Sequence, residues 1–267
     1  MKFALGCIAT LFLCCASSKR ISTLFSTADP VHHKIFTYDQ LDGLPEPVQR
    51  YFKYALPNGR PYLNFLRLQH TGTFKTGMDK DWTDIRGEQY FTAKPPGFVW
   101  IGKTKQFKAR DAYVNNVGNL SVYLFGLVRI INSSSEAVDQ AELVRWLGEG
   151  VWMPTNLLPD EHKQWSAIDD NSAELTFNWK GHSIHFHIHF NELGQIVRLE
   201  TQRYMEKKLE NWVGEVGDYK EIDGIKVPTH IEAGWVLDKG RYTYARFHVG
   251  TFEYDIPQKF SSFSENK

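Results

Sequence analysis

The sequence predicts a mainly β (α+β) fold, a curved antiparallel sheet or incomplete β-barrel with two or three short helices. Three observations carry this. Two arms, 173–179 and 184–190, alternate apolar and polar residues with period two, as half-buried strands do. Short strand-like runs broken by turn residues recur from Tyr62 to Asp255. Only two stretches show helical spacing.

Composition excludes little but excludes it cleanly. Across 267 residues, Lys+Arg 31 balance Asp+Glu 31, so no net field favours nucleic acid or an anionic surface. Nucleic-acid binding calls for basic clusters interleaved with aromatics, and the adjacent basic pairs are just Lys19-Arg20 and Lys207-Lys208. The 8 tryptophans and 18 phenylalanines suffice for a large core or a lined cavity.

The N-terminus, MKFALGCIATLFLCCASSKR, places one basic residue before an apolar run from Phe3 to about Ala16, then small residues. That is the layout of a secretory signal peptide, cleaved near Ser17 or Ser18. The run of about 14 residues falls short of the roughly 20 a spanning helix needs, which makes an uncleaved anchor the weaker alternative. Cys7, Cys14 and Cys15 all lie inside it, so the mature chain has no thiol for a disulfide, a metal or a nucleophile. None of the three follows a small residue at the end of a full apolar run, as lipidated cysteines do. The plan is therefore a signal peptide over 1–18, a linker over 19–37, one β-rich domain over 38–258 and a tail over 259–267. The location is exported, periplasmic or at the cell envelope.

Within the domain, LPEPVQRYFKYALPNG gives a short helix. Pro45 or Pro47 suits its first turn, Pro57 and Gly59 end it, and Val48, Tyr51, Phe52 and Ala55 share one stripe. A second helix covers SSSEAVDQAELVRWLGEG. Ser134 or Ser135 caps it, Gly148 or Gly150 stops it, and Leu143, Trp146 and Leu147 face inward. VWMPTNLLPDE reads as an apolar loop. The rest is a meander, with turns at Asp223-Gly224 and at Asp238-Lys239-Gly240. Gly194 can take φ > 0 in a further turn, and Pro228 belongs at a strand start or on an edge.

SAELTFNWKGHSIHFHIHF raises the question of metal. A two-residue Gly181-His182 turn of type II′ pairs Trp179 with Ile184, Phe177 with Phe186 and Leu175 with Ile188. Every apolar residue then falls on one face, and His185, His187 and His189 on the other. A polar strand face explains the histidines without a metal. The alternative is a zinc site of His185, His187 and His189, since zinc accepts imidazole nitrogen. Alternate side chains stand about 6.6 Å apart, so such a site needs ligands from neighbouring strands, and Thr176 and Asn178 are poor ones.

Four ordered segments, LPEPVQRYFKYALPNGRPY, EQYFTAKPPGFVW, QAELVRWLGEGVWMPTNLLP and DYKEIDGIKVPTHIEAGWVL with YARFHVGTFEYD, together resemble an uncharacterised bacterial family, a domain of unknown function, from about Leu44 to Asp255. That family brings no assigned residues. DYKEIDGIKVPTHIE is also similar to the curved sheets of periplasmic lipoprotein carriers of the LolA/LolB type. That resemblance implies an incomplete barrel around a helix, with an apolar cavity for acyl chains.

Catalytic signatures are few. There is no Gly-rich phosphate loop, His-Glu-x-x-His, Gly-x-Ser-x-Gly or EF-hand loop, and no cofactor is called for. Glu142 and Glu149 stand seven apart on the second helix with Arg145 between. They read as a solvated ion-paired stripe or, alternatively, as an acid/base pair tuned by Arg145. Glu88, Asp111, Glu200, Glu232 and Arg246 fall in strands that the sequence alone does not bring together. Trp100, Leu143, Trp146, Trp152, Met153, Leu157, Leu158 and Trp235 are the candidate lining of an apolar cavity, with 152–158 as its rim or lid, because loops are polar unless they cover something. The expected function is binding or carrying an apolar or amphipathic, lipid-like ligand at the envelope, with membrane association left open. The alternative is an envelope enzyme using carboxylates of the middle helix and the sheet.

Overall fold

The computed structural model describes residues 17–29 and 33–263. The expected signal segment lies outside the described residues up to position 16. No described helix is long and apolar enough to cross a membrane.

Thirteen strands form one antiparallel sheet. They are β1 (Phe65–Phe74), β2 (Thr83–Thr92), β3 (Gly97–Lys103), β4 (Phe107–Val114), β5 (Val117–Leu124) and β6 (Val128–Ser133), then β7 (Lys163–Asp169), β8 (Ser172–Trp179), β9 (His182–Phe190), β10 (Ile196–Met205), β11 (Lys208–Ile222), β12 (Ile225–Leu237) and β13 (Gly240–Tyr254). Their order is β6-β5-β4-β3-β2-β1-β13-β12-β11-β10-β9-β8-β7. Two meanders are thus zipped together by the β1–β13 ladder, and the sheet ends at β6 and β7 without closing. The fold class read from the sequence is the one observed.

Helices fill the concave side. In α2 (Glu46–Ala55), Pro45 is the N-cap and Pro47 lies in the first turn, where no amide is needed. Its stripe of Val48, Tyr51, Phe52 and Ala55 is buried. α3 (Glu136–Gly148) starts at Ser135, whose side chain accepts from the Val138 amide. Close approach of α3 to β5 requires Gly118: a Cβ there would stand 2.7 Å from the Val138 carbonyl oxygen. Asp139 Oδ1 accepts from the Gly118 amide at 2.6 Å.

The expected apolar loop after α3 is instead two turns of 3-10 helix, Glu149–Trp152 and Pro154–Leu157. Trp152, Met153, Leu157 and Leu158 are all buried. This stretch is an interior plug rather than a rim or lid. The Trp152 indole donates to the Pro228 carbonyl at 3.1 Å, and the Trp152 carbonyl accepts from the Tyr254 hydroxyl at 3.0 Å. Pro228 can offer its oxygen because β12 pairs with β13 only from His230 onward.

The convex side is also partly covered. Residues 17–26, which the sequence plan splits between signal and linker, are helical and form α1. Ile21 and Leu24 pack on Tyr90, Val99, Ile101 and Ala112. Part of the expected tail lies on the same surface, where Phe260 joins this cluster and its amide donates to the Tyr90 hydroxyl.

The histidine hairpin keeps its faces but not its register. Trp179 opposes His182 and Phe177 opposes Ile184, so the turn is Lys180-Gly181, with φ of 48° and 87°. Two positive φ values suit a type I′ turn, whose twist matches the strands. The register is shifted by two from the type II′ expectation, and a shift of two leaves every side chain on its face.

Candidate functional site

The concave face holds a buried polar network on α3. Arg145 Nη1 donates to Asp111 Oδ2 at 2.6 Å and Nε to Glu149 Oε1 at 2.9 Å. Its Nη2 donates to Gln89 Oε1 at 3.3 Å, and Gln89 Nε2 closes the ring onto Glu149 Oε2 at 2.6 Å. The guanidinium also lies 4.9 Å from the Trp100 ring centroid and 5.1 Å from that of Phe98. Trp100 in turn donates from Nε1 to His70 Nε2 at 2.8 Å. Burial, then the nearby Arg145, pushes the His70 pKa down to about 3. The ring is therefore neutral, and its Nδ1 has no partner.

The solvated stripe expected for Glu142, Arg145 and Glu149 is thus corrected: the structure buries this face of α3 against β2, β3 and β4. Helical spacing sets which residues share a face and says nothing about what covers that face. Arg145 and Glu149 do pair, as i, i+4 spacing allows. The acid that completes the network, Asp111, comes from β4. Its only sequence signal was its place in a strand.

Glu142 sits one turn earlier. Its Oε2 is buried without a hydrogen bond, and Arg203 Nη2 approaches it to 4.0 Å. Burial above all, then the Asp111 charge, raises the Glu142 pKa to about 8. Burial also pushes Asp111 and Glu149 upward, opposed by the guanidinium bonded to both. Two guanidiniums and three carboxylates therefore come to neutrality when Glu142 keeps its proton. Arg203 is itself held, with Nε donating to the Ala141 carbonyl at 2.9 Å and Nη1 to the Tyr244 hydroxyl at 3.2 Å. That hydroxyl also accepts from Trp212 Nε1 at 3.0 Å.

Arg203, 4.0 Å from Glu142, also lies over the Trp235 ring and donates to the Tyr244 hydroxyl, so the pair borders a half-buried aromatic wall, here called the cup. The cup lies at the distal end of the concave face, where the β3–β4, β10–β11 and β12–β13 turns gather. Phe74, Phe107, Met205, Leu237, Tyr242 and Tyr244 pack against the main core yet stay only half-buried. Phe74 contacts Phe107 and Tyr244 at 6.4 and 5.9 Å between ring centroids, and Trp235 stacks on Tyr244 at 6.1 Å.

Elsewhere the concave interior is packed. Of the expected lining, Trp100, Leu143, Trp146, Trp152, Met153, Leu157 and Trp235 are core, and Trp235 stacks on half-buried Tyr244. Leu158 lines a separate pocket of 160 Å³, with Tyr62, Leu63, Phe65 and Lys163 around it. That is below the roughly 300–1,000 Å³ of small-molecule sites.

On the convex face His185 stands apart from the other two histidines. Its Nδ1 meets Glu174 Oε1 at 3.3 Å and Thr176 Oγ1 at 3.2 Å, and its Nε2 meets Ser183 Oγ at 3.1 Å. His187 and His189 instead converge, with ring centroids 4.1 Å apart. The three-histidine alternative is thereby replaced by a pair.

The family model described as "Family of unknown function (DUF6544)" matches residues 34–247. No curated protein matches the sequence. Among solved structures, a LolA superfamily protein from Nitrosomonas europaea overlaps with a TM-score of 0.43 at 11% identity, covering 78% of this chain and 91% of that one. A DUF1329 family protein from Desulfovibrio piger gives 0.39 at 10% identity, over 83% and 93%. Both resemblances read from the sequence reappear here, and overlaps this loose carry no argument about function.

Proposed function

The chain belongs to the Family of unknown function (DUF6544), and we propose, from the site alone, that it binds an apolar or amphipathic, lipid-like ligand in the distal cup. The single observation behind this is the contrast in covering. The concave face is sealed around α3, yet its distal aromatic wall stays half-buried beside Arg203, which stands 4.0 Å from the buried Glu142 carboxyl. Apolar ligand surface laid on that wall contributes roughly 25 cal/mol per Å² before the costs of association. The polar end of such a ligand is placed against Arg203, which donates, and Glu142, which can donate while it keeps its proton. We place the protein in the cell envelope on the layout of residues 1–20. Ile21 and Leu24 lie beyond the expected cleavage point, so cleavage leaves their docking intact.

Titration with a fluorescent fatty acid and with a phospholipid, read by tryptophan quenching, tests this. Micromolar binding is expected, weakened by Trp235→Ala and by Arg203→Gln. No binding of either probe would sink the proposal. The raised pKa of Glu142, with Arg203 4.0 Å from its carboxyl, supports a second reading, general-acid chemistry at the same place. Turnover of an ester-linked lipid by the wild type but not by Glu142→Gln would move that reading to first place.

A further inference from the structure

The convex face holds a second constellation that the cup does not use. β9 presents His187 and His189 on the same face, and β10 presents Glu200 directly opposite His187 in the ladder. One ligand atom from each of the three lies within 4.8 Å of the other two. His189 Nε2 stands 2.9 Å from Glu200 Oε2, and His187 Nδ1 stands 3.9 Å from the same oxygen. We propose that His187, His189 and Glu200 form a binding site for a divalent transition cation, zinc being the best match.

The chemistry fits at three levels. Two imidazole nitrogens and a carboxylate oxygen are zinc's own ligand types, and three protein ligands leave one position open for water or substrate. The spacing objection raised from the strand repeat falls, because the two rings lean together to 4.1 Å and the third ligand comes across the ladder from β10. Ligands held within 4.8 Å of one another need only side-chain adjustment to reach zinc's bond lengths of about 2.0–2.2 Å. The third level is orientation. Arg198 donates from Nε and Nη2 to Glu200 Oε1, at 3.0 and 2.6 Å. That fixes the carboxylate so that its other oxygen, Oε2, faces the histidine pair, as outer-shell partners do at metal sites. Asp169 and Glu174 add negative potential at His187. His187 Nε2 is shut from solvent and has no hydrogen-bond partner, a feature the hairpin alone does not explain.

A separate cluster of Asp218, His230 and His248 lies on the same convex face, so the test must tell the two apart. Protein made without a histidine tag and stripped with a chelator is titrated with zinc by calorimetry, and bound metal is counted by native mass spectrometry. The expected result is saturable zinc binding in which one equivalent disappears in His187→Gln/His189→Gln and in Glu200→Gln. The same equivalent should survive in His230→Gln/His248→Gln. All these side chains are at least partly exposed on the convex face, and circular dichroism checks that each variant is folded. Cobalt(II) substitution gives a second readout: visible absorption of a low-symmetry, four-coordinate ion in the wild type, lost in the double-histidine variant. No zinc binding by the wild type overturns the proposal. So does a stoichiometry unchanged by the His187/His189 double substitution.

Discussion

The two faces of the sheet carry the same kinds of side chain under opposite conditions. On the concave face, Arg145 bridges Asp111 and Glu149, and the three side chains are 13–16% exposed. On the convex face, Arg198 bridges Glu200 and Glu215, and these are 34–36% exposed. Glu215 also pairs with Arg241, and Glu232 with Arg246 at 3.1 Å. The convex ladder is screened by water, and each of its pairs contributes little. The concave network has lost its water, so each charge in it depends on its partners. An arginine between two acids thus adds little to stability on one side and is a structural necessity on the other.

The sharpest way to break this comparison is to remove one arginine from each face. Arg145→Met strands two buried carboxylates and should cost about 3–5 kcal/mol in urea unfolding. Arg198→Met should cost less than about 1 kcal/mol. Equal losses would mean that burial does not separate the faces. Of similar size is the effect of Trp146→Ala, whose indole is 1% exposed and donates to the Thr92 carbonyl at 3.0 Å. A loss of about 3–5 kcal/mol is expected for a large core aromatic, with ligand binding in the cup changed far less than by Trp235→Ala.

The third test uses pH. The pKa of Glu142 in the folded chain, about 8, lies above its ordinary value. A raised pKa means that the folded state binds the proton more tightly than the unfolded state. This contribution is fully present below the ordinary carboxyl pKa and is lost as pH rises through about 8. Wild-type stability minus that of Glu142→Gln should therefore fall between pH 5 and pH 9, and a flat difference would show that Glu142 is ionised throughout. The smallest effect belongs to His185→Thr, which replaces one hydroxyl-bonded group with another on the exposed face. It should stay within about 0.5 kcal/mol and leave zinc binding at His187 and His189 intact.

Much of this molecule was legible in the sequence because its elements follow from local periodicity. The alternation in 173–190 fixed which side chains of β8 and β9 share a face, and α2 and α3 appeared where proline, serine and apolar spacing placed them. The register of the β8–β9 hairpin was not legible, because Lys180 adopting φ > 0 is a choice the whole ladder makes. Asp111 and Glu200, the acids that complete the two polar constellations, carried no local signal beyond their place in strands.

What the sequence determined by itself was the strand meander, the helices α2 and α3 and the face on which each strand side chain sits, since these depend only on dihedral repeat and turn chemistry. What the tertiary structure alone decided was burial. It drew the 152–158 stretch into the core, laid α1 on the outer sheet and turned the polar side of α3 inward. Strands distant in the chain, β2, β4 and β10, took away the water from Arg145 and Glu142. Solvation is a property of everything that packs around a group, so no window of sequence around Glu142 could have given it a proton.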